Sequence, residues 1–587
     1  MREKLDRLEH QLDIKWKQRA HVKWLQSGDR NTAFFHAYAS ERKRKNTIKR
    51  LKRDDGAWIE DSNQLKRYIT NYFFSIFSAS ARDNNEDILQ TVQPKVSAWM
   101  NDVLCSEYTE EEVINALKSI GDLKAPGPDG MPAVFFKKFW NTVGNQVTNE
   151  VLNVLRGGQI PEGWNNTMIV LIPKGANPEK MKDLRPISLC NVVYKLISKV
   201  ITNRLKLILP EIISQNQSAF VPGRMISDNT IVAHELIHFL QRKRRGKKAY
   251  AAIKLDMSKA YDRVEWGFLH DMMIKLGFHR IWTELVMKCV TTVKYQIRLN
   301  GEVTETIIPE RGLRQGDPLS PYLFLICAEV FSSMLLDAER KKKLRGIRVC
   351  NKAPSISHLL FADDSLLLIQ ANKESVQEVN RILNTYEASS GQMVNKEKSS
   401  IQFSRNARKE DKLDLMRQLN IQKEGFNGKY LGLPVFVGKS KTKAFQYLKE
   451  RIWKILQGWK QRLLSKAGKE ILIKAVAQAI PVYTMACFEI TKTLCDEISA
   501  LIGRYWWSSI DKDNKIHWVS WDKLSNPKKD GGMGFRDLYS FNLAMLAKQA
   551  WRLLKNPNSI CAKILTAKYY PHGNILKAEE RNGMSYC

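Results

Sequence analysis

The sequence predicts an α+β fold of several parts, on three observations. Its 587 residues exceed what one compact core holds, so the chain should divide into subdomains. Between Met168 and Ile369, strand-like apolar runs alternate with helical patterns. After residue 440 the apolar spacing turns helical, with Phe445, Leu448, Ile452, Ile455 and Leu456 on one stripe.

The elements follow in chain order. Leu5, Leu8 and Leu12 share a stripe and predict an amphipathic helix over residues 1–27, with Gly28 as its stop and Asn31 capping a second helix. A basic run from Arg42 to Arg53 comes next. A new unit begins near residue 105. The stretch Ala125-Pro126-Gly127-Pro128-Asp129-Gly130 is a loop by its Pro and Gly density, and residues 131–156 read as helix. Arg242 to Lys248 (RKRRGKK) is a basic turn before a strand, and Arg340 to Arg345 forms another basic cluster. A helix runs to about Ile480, where Pro481 should end it. Trp506, Trp507, Trp518, Trp521 and Trp551 mark the last part, most of them as core residues. No repeat period is visible.

Composition narrows the partners. Lys and Arg number 94 against 61 Asp and Glu, a formal net charge of +33, which favours a polyanion because each phosphate contact releases counterions. No uninterrupted apolar run is long enough to span a bilayer, and the charged start MREKLDRLEH lacks a signal-peptide core. The expectation is a nuclear or cytoplasmic protein that is neither secreted nor membrane-bound. Nine scattered cysteines form no C-x-x-C pair, and Cys561 and Cys587 with His572 do not make a metal-ligand set.

The chemistry lies in three acids. Ala251-Ala252-Ile253-Lys254-Leu255 reads as a strand with Ile253 and Leu255 on one face and Asp256 emerging at its end. A carboxylate there needs a partner; a salt bridge is the structural alternative. Leu359 to Ile369 reads as a hairpin whose turn carries Asp363 and Asp364. Adjacent carboxylates repel, and most such pairs are solvated turns, but a divalent cation relieves them. Together the three acids suggest a two-metal phosphoryl-transfer site.

Five segments then match one family in order. KLDMSKAYDRVEW (254–266) resembles motif A of reverse transcriptases, RGLRQGDPLSPYLF (311–324) motif B of LINE-type elements, and FADD (361–364) motif C. LIPKGANPEKMKDLRPISL (171–189) resembles the finger motifs and YLGLP (430–434) the primer grip. The chain is thereby identified as resembling the reverse transcriptase of a plant LINE-type non-LTR retrotransposon polyprotein over about residues 105–510. It looks like a fragment without the endonuclease and the C-terminal zinc-binding or ribonuclease H regions.

The resemblance implies a right-hand polymerase with fingers, a palm with an antiparallel sheet, and a helical thumb. It implies a helical basic extension at 1–104, a fingers extension at 105–160, fingers and palm at 161–438, thumb at 439–510, and a Trp-containing linker at 511–587. Two Mg²⁺ ions, with Mn²⁺ as substitute, would be held by Asp256, the Met257 carbonyl, Asp363 and Asp364. Tyr261 would exclude the ribose 2′-hydroxyl. Gln315 and Gly316 would pack on the incoming nucleotide and templating base. Lys174 and Arg185 would grip the triphosphate, with Lys182 an alternative to Lys174. Lys398 would protonate the leaving pyrophosphate, with Lys396 competing. The implied partners are an RNA template, a DNA primer, dNTPs and an endonuclease in trans. The 42–53 run becomes a template-binding arm or remains a solvated face. A catalytically inactive nucleic-acid-binding remnant is the other functional reading, and an intron-maturase-like relative a third.

Overall fold

The computed structural model describes residues 2–20, 32–80, 86–426, 428–438, 440–460, 464–508, 516–573, 575–578 and 584–586. The elements are a mixture of many helices and two main sheets, the α+β class expected. The first main sheet has the order Lys423–Glu424, Ser400–Phe403, Tyr250–Leu255, Asp364–Gln370, His358–Phe361. All its pairings are antiparallel except the outermost, between Ser400–Phe403 and Lys423–Glu424. The second has the order Leu184–Cys190, Asn166–Pro173, Lys294–Leu299, Glu302–Val303, with one parallel pair at its centre.

Burial explains the central strand. Ala251, Ala252, Ile253 and Leu255 are all at most 1% exposed, so Tyr250–Leu255 is covered on both faces and reads as a continuous apolar run. The helices Val192–Ile212 and Ser320–Arg340 supply much of the surrounding core. The helix Ser320–Arg340 has the length and apolar content of a membrane span, although Glu329 interrupts its apolar run. Most of it is buried in the protein, and it carries Glu329, Asp337 and Glu339. The stripe read from residue 445 onward is a helix, Lys441–Lys460. Phe445, Leu448, Ile452 and Leu456 are buried there in a core that extends to Leu538.

Three local expectations change. The first helix spans Arg2–Ala20, and its stripe is open to solvent, with Leu5, Leu8 and Leu12 49–59% exposed. Gly28 and Asn31 lie outside the described residues. The helix expected over 131–156 is two, Ala133–Lys138 and Trp140–Leu155. The backbone leaves helical geometry at Phe139 (φ −107°, ψ 21°), so the pieces bury different faces. The helix expected to reach Ile480 stops at Ala475, and Pro481 opens the next short helix instead of ending the previous one. Proline suits a helix start, where its missing N–H costs nothing. The late tryptophans are mostly core, as expected: Trp506 is buried and Trp507 and Trp521 pack against the same core, whereas Trp518 and Trp551 are exposed.

Candidate active site

The central strand ends where its next residue must carry charge. Asp256 follows Leu255, and its backbone is held on both sides by the 392–399 segment. Its N–H donates to Ser399 Oγ (3.2 Å) and its carbonyl accepts from Asn395 N–H (2.7 Å). Met257 bridges to Val394, and Ser258 N–H donates to the Met393 carbonyl. The chain then turns back over residues 259–265. Leu313 N–H donates to the Tyr261 carbonyl (2.7 Å) and Gly312 N–H to that of Val264 (2.8 Å). A Cβ at Gly312 would lie 2.7 Å from the Asp262 carbonyl, so only glycine permits this approach.

The acidic hairpin is tight. Phe361 pairs with Asp364, leaving Ala362 and Asp363 as its turn. Ala362 takes φ +52°, a left-handed conformation that costs a residue with a Cβ about 1–2 kcal/mol. Its N–H is accepted by the side chain of Gln217 (3.1 Å).

Register brings the acids together. Leu255 pairs with Ser365 across the antiparallel strands, so the next residues toward the open end, Asp256 and Asp364, stand across from each other. Asp363 is solvent-accessible at the tip, yet the protein around it strips hydration. That raises its carboxyl above the usual range, and the Asp256 charge adds to the effect. Asp364 is raised by burial too; Lys254 opposes the shift, and Asp363 and Asp256 reinforce it. The three carboxylates are in mutual electrostatic reach. Among the described residues, no group of three His, Cys, Asp or Glu side chains stands close enough to hold a metal ion. Asp256 pairs with Lys398 (3.9 Å).

Cations gather on the Asp256 side. Lys174 is lowered by burial and then by the charges of Lys398 and Arg185. Its Nζ donates to the Lys182 carbonyl (2.8 Å). Arg185 is paired with Ile172 on the adjoining hairpin and is exposed. Lys259, not singled out from sequence, is lowered by burial while Asp262 opposes, and it feels Lys174 and Lys398. Asp262 itself is pushed up to about 6 by burial, with Lys259 opposing.

Tyr261 stacks on Phe324 at 4.8 Å and 14°, and burial, then Asp363, raises its hydroxyl pKa. The Gln315 carbonyl accepts from Ser188 N–H (2.8 Å). Gly316 has φ +122°, and a Cβ there would meet the Ser188 carbonyl at 2.8 Å. Next to it opens a groove of about 1140 Å³ whose lining includes Arg42, Lys43, Lys124, Lys195, Lys199 and Arg298 and, among the described residues, no acid. Sequence reasoning missed Lys254, Lys259 and Gln217. A buried amide such as Gln217 has no signature that separates it from a surface one.

A strand-end acid thus lies opposite two hairpin acids, with a bank of cations alongside. Residues 172–448 match the family model for reverse transcriptase (RNA-dependent DNA polymerase). The chain is 28% identical over 525 residues to the Transposon TX1 uncharacterized 149 kDa protein of Xenopus laevis, covering 88% of this chain and 38% of that one. It is 41% identical over 110 residues to an uncharacterized mitochondrial protein of Arabidopsis thaliana, 19% of this chain and 71% of the other. It is 27% identical over 258 residues to the retrovirus-related Pol polyprotein of the type-1 retrotransposable element R2 from Nasonia vitripennis, 44% of this chain and 24% of that one. The chain carries a reverse transcriptase domain at residues 172–448, and it has relatives among the proteins of non-LTR retrotransposons. Polymerases of this family copy RNA with nucleotide substrates and use divalent metal ions.

Proposed function

We propose that the chain extends a DNA primer on an RNA template as the polymerase of a LINE-type element. The observation that carries this is the strand register, which sets Asp256 across from Asp364 and lets its charge act on Asp363. The Arabidopsis thaliana relative at 41% identity supports a plant element.

The donor chemistry fits a hard divalent cation. Three carboxylates repel one another, two of them with raised proton affinity, and the Met257 carbonyl lies beside Asp256. Asp256, Asp363, Asp364 and that carbonyl would hold two Mg²⁺ ions, with Mn²⁺ substituting. When bound, the metals neutralise charge on the attacking primer oxygen and on the triphosphate. The chain's own residues do the rest. Lys174, Arg185 and Lys398 draw the triphosphate against the acids. Lys398, which pairs with Asp256 (3.9 Å), supplies the proton to the departing pyrophosphate. Gln315 and Gly316 form the floor under the base pair, and Gly316 is required by the approach to Ser188.

Further assignments follow from the same reading. Residues 105–160 are an N-terminal extension of the fingers, 161–438 the fingers and palm, 439–510 the helical thumb, 1–104 a helical basic extension and 511–587 a Trp-containing linker. The separate apolar core around Phe445, Ile452 and Ile498 supports an independent thumb. The acid-free groove supports a path for the RNA template, and Arg42 and Lys43 on its wall favour the arm over a plain solvated face. An endonuclease supplied in trans would provide the cleaved target.

Purified chain incubated with an RNA template, annealed DNA primer, dNTPs and Mg²⁺ should lengthen the primer. Salt-sensitive RNA binding without extension would instead identify an inactive remnant. Tyr261→Ala tests sugar selection. Its ring is held face-on to Phe324 beside Asp363, so removing it should raise rNTP incorporation relative to dNTP by about 10–100-fold, an effect of roughly 1–3 kcal/mol. Competition assays with matched rNTP and dNTP read the ratio directly.

A further inference from the structure

His358–Phe361 is an edge strand of its sheet, and its outer side is covered by the turn Asn216-Gln217-Ser218. Leu360 N–H donates to the Asn216 carbonyl (2.8 Å), and Ser218 N–H donates to the Leu360 carbonyl (3.0 Å). That carbonyl also accepts from Asn229 Nδ2 (2.8 Å), which fills both its lone pairs. One residue on, Gln217 Oε1 accepts from Ala362 N–H (3.1 Å) and from Ala219 N–H (3.0 Å). The turn is rigid in its own right. The Arg224 guanidinium donates to the carbonyls of Pro210, Ile213, Ser214 and Gln217.

The same chain of bonds continues away from the acids. Asn229 Oδ1 accepts from Tyr430 OH (2.9 Å), and Tyr430 belongs to the small hairpin in which it pairs with Leu433. Tyr483 closes that hairpin from the helical part, donating to the Leu431 carbonyl (3.2 Å) and meeting Thr230 Oγ1 (3.0 Å). Gln217, Asn229 and Tyr430 are each no more than 2% exposed. Water cannot replace a buried polar partner, so Gln217 carries the Ala362 N–H, Asn229 carries the Leu360 carbonyl, and Tyr430 carries the Asn229 side chain.

We propose that Gln217 and Asn229 are positioning residues. Gln217 fixes the left-handed tip that aims Asp363, and Asn229 ties the acidic hairpin to the Tyr430 hairpin, so that the two move as one body. The functional half rests on the polymerase reading, in which the Tyr430 hairpin grips the primer end.

Two shape-preserving variants of the full chain test it: Gln217→Leu, which removes the acceptor, and Tyr430→Phe, which removes only a hydroxyl. Hydrogen exchange in the segment 358–364 should quicken in both, by about tenfold or more in Gln217→Leu. In primer extension, kcat should fall by a similar factor in Gln217→Leu and several-fold in Tyr430→Phe, with the dNTP KM within twofold of wild type. A structural role alone would lower active concentration and leave the local exchange rate of the folded fraction unchanged. Unchanged exchange at 358–364 in a folded variant, or a loss confined to KM, overturns the proposal. If wild type fails to extend, the polymerase reading falls, and the exchange rates still decide the mechanical coupling. Should Gln217→Leu not fold, Gln217→Met takes its place for the tip, and Tyr430→Phe decides the tie between the hairpins.

Discussion

Asp363→Asn should remove primer extension by on the order of 10³-fold or more while leaving the protein as stable as wild type, or more so. The two halves have one cause. Asp363 sits at a hairpin tip where lost hydration and the Asp256 charge both disfavour its ionised form. The folded state therefore binds its proton more tightly than the unfolded chain does, and at neutral pH the ionised carboxylate costs stability. Asparagine has nearly the same shape and no charge, so that cost disappears and the tight turn between Phe361 and Asp364 keeps its pairing. What is lost is an oxygen ligand where charge develops in the transition state, and a single such electrostatic contribution is worth about 10²–10³ in rate before any loss of metal affinity is added. Single-turnover extension and thermal unfolding of the same preparation measure both. Activity within tenfold of wild type would remove Asp363 from the chemistry. A large drop in stability would mean that the tip is held by its charge and not by the hydrogen bond from Ala362 to Gln217.

That contrast also explains what could be read from the chain. The helix Lys441–Lys460 was legible because it buries one face, and periodicity reports one-sided burial. The acids were legible because each ends an apolar run where nothing else would tolerate a charge. That two such runs pair, with Leu255 opposite Ser365, is a long-range choice that no local pattern encodes; the motif order supplied it. The break at Phe139 was missed because the two helices on either side have similar patterns and differ only in what they pack on. Gln217 and Asn229 were invisible for a related reason. Their value lies in backbone groups more than 130 residues away.

The largest stability effect should come from Arg314. Its guanidinium is 4% exposed and lies 3.2 Å from Asp317, itself 5% exposed. It also donates to the Cys289 carbonyl (2.8 Å) and to Asn165, and it stacks over the Tyr194 ring at 4.0 Å. Tyr194 OH donates back to Asp317 (3.0 Å), so the cluster is closed on itself away from solvent. Arg314→Leu leaves the Asp317 carboxylate buried without its counter-charge, at a cost of about 3–5 kcal/mol. A domain holds only about 5–15 kcal/mol in total, so the variant should unfold at clearly lower denaturant. Replacing both charges, as Arg314→Leu with Asp317→Leu, removes more polar groups yet should recover much of the loss, because no lone buried charge remains. Denaturant midpoints of the two variants decide the matter: a double variant less stable than the single would mean that Asp317 is held mainly by Tyr194 and Ser320. The pair also spans the turn that sets Gly316 against Ser188. Even the recovered double variant should therefore extend primers poorly, since stability can be restored without the ion pair and the shape of that turn cannot.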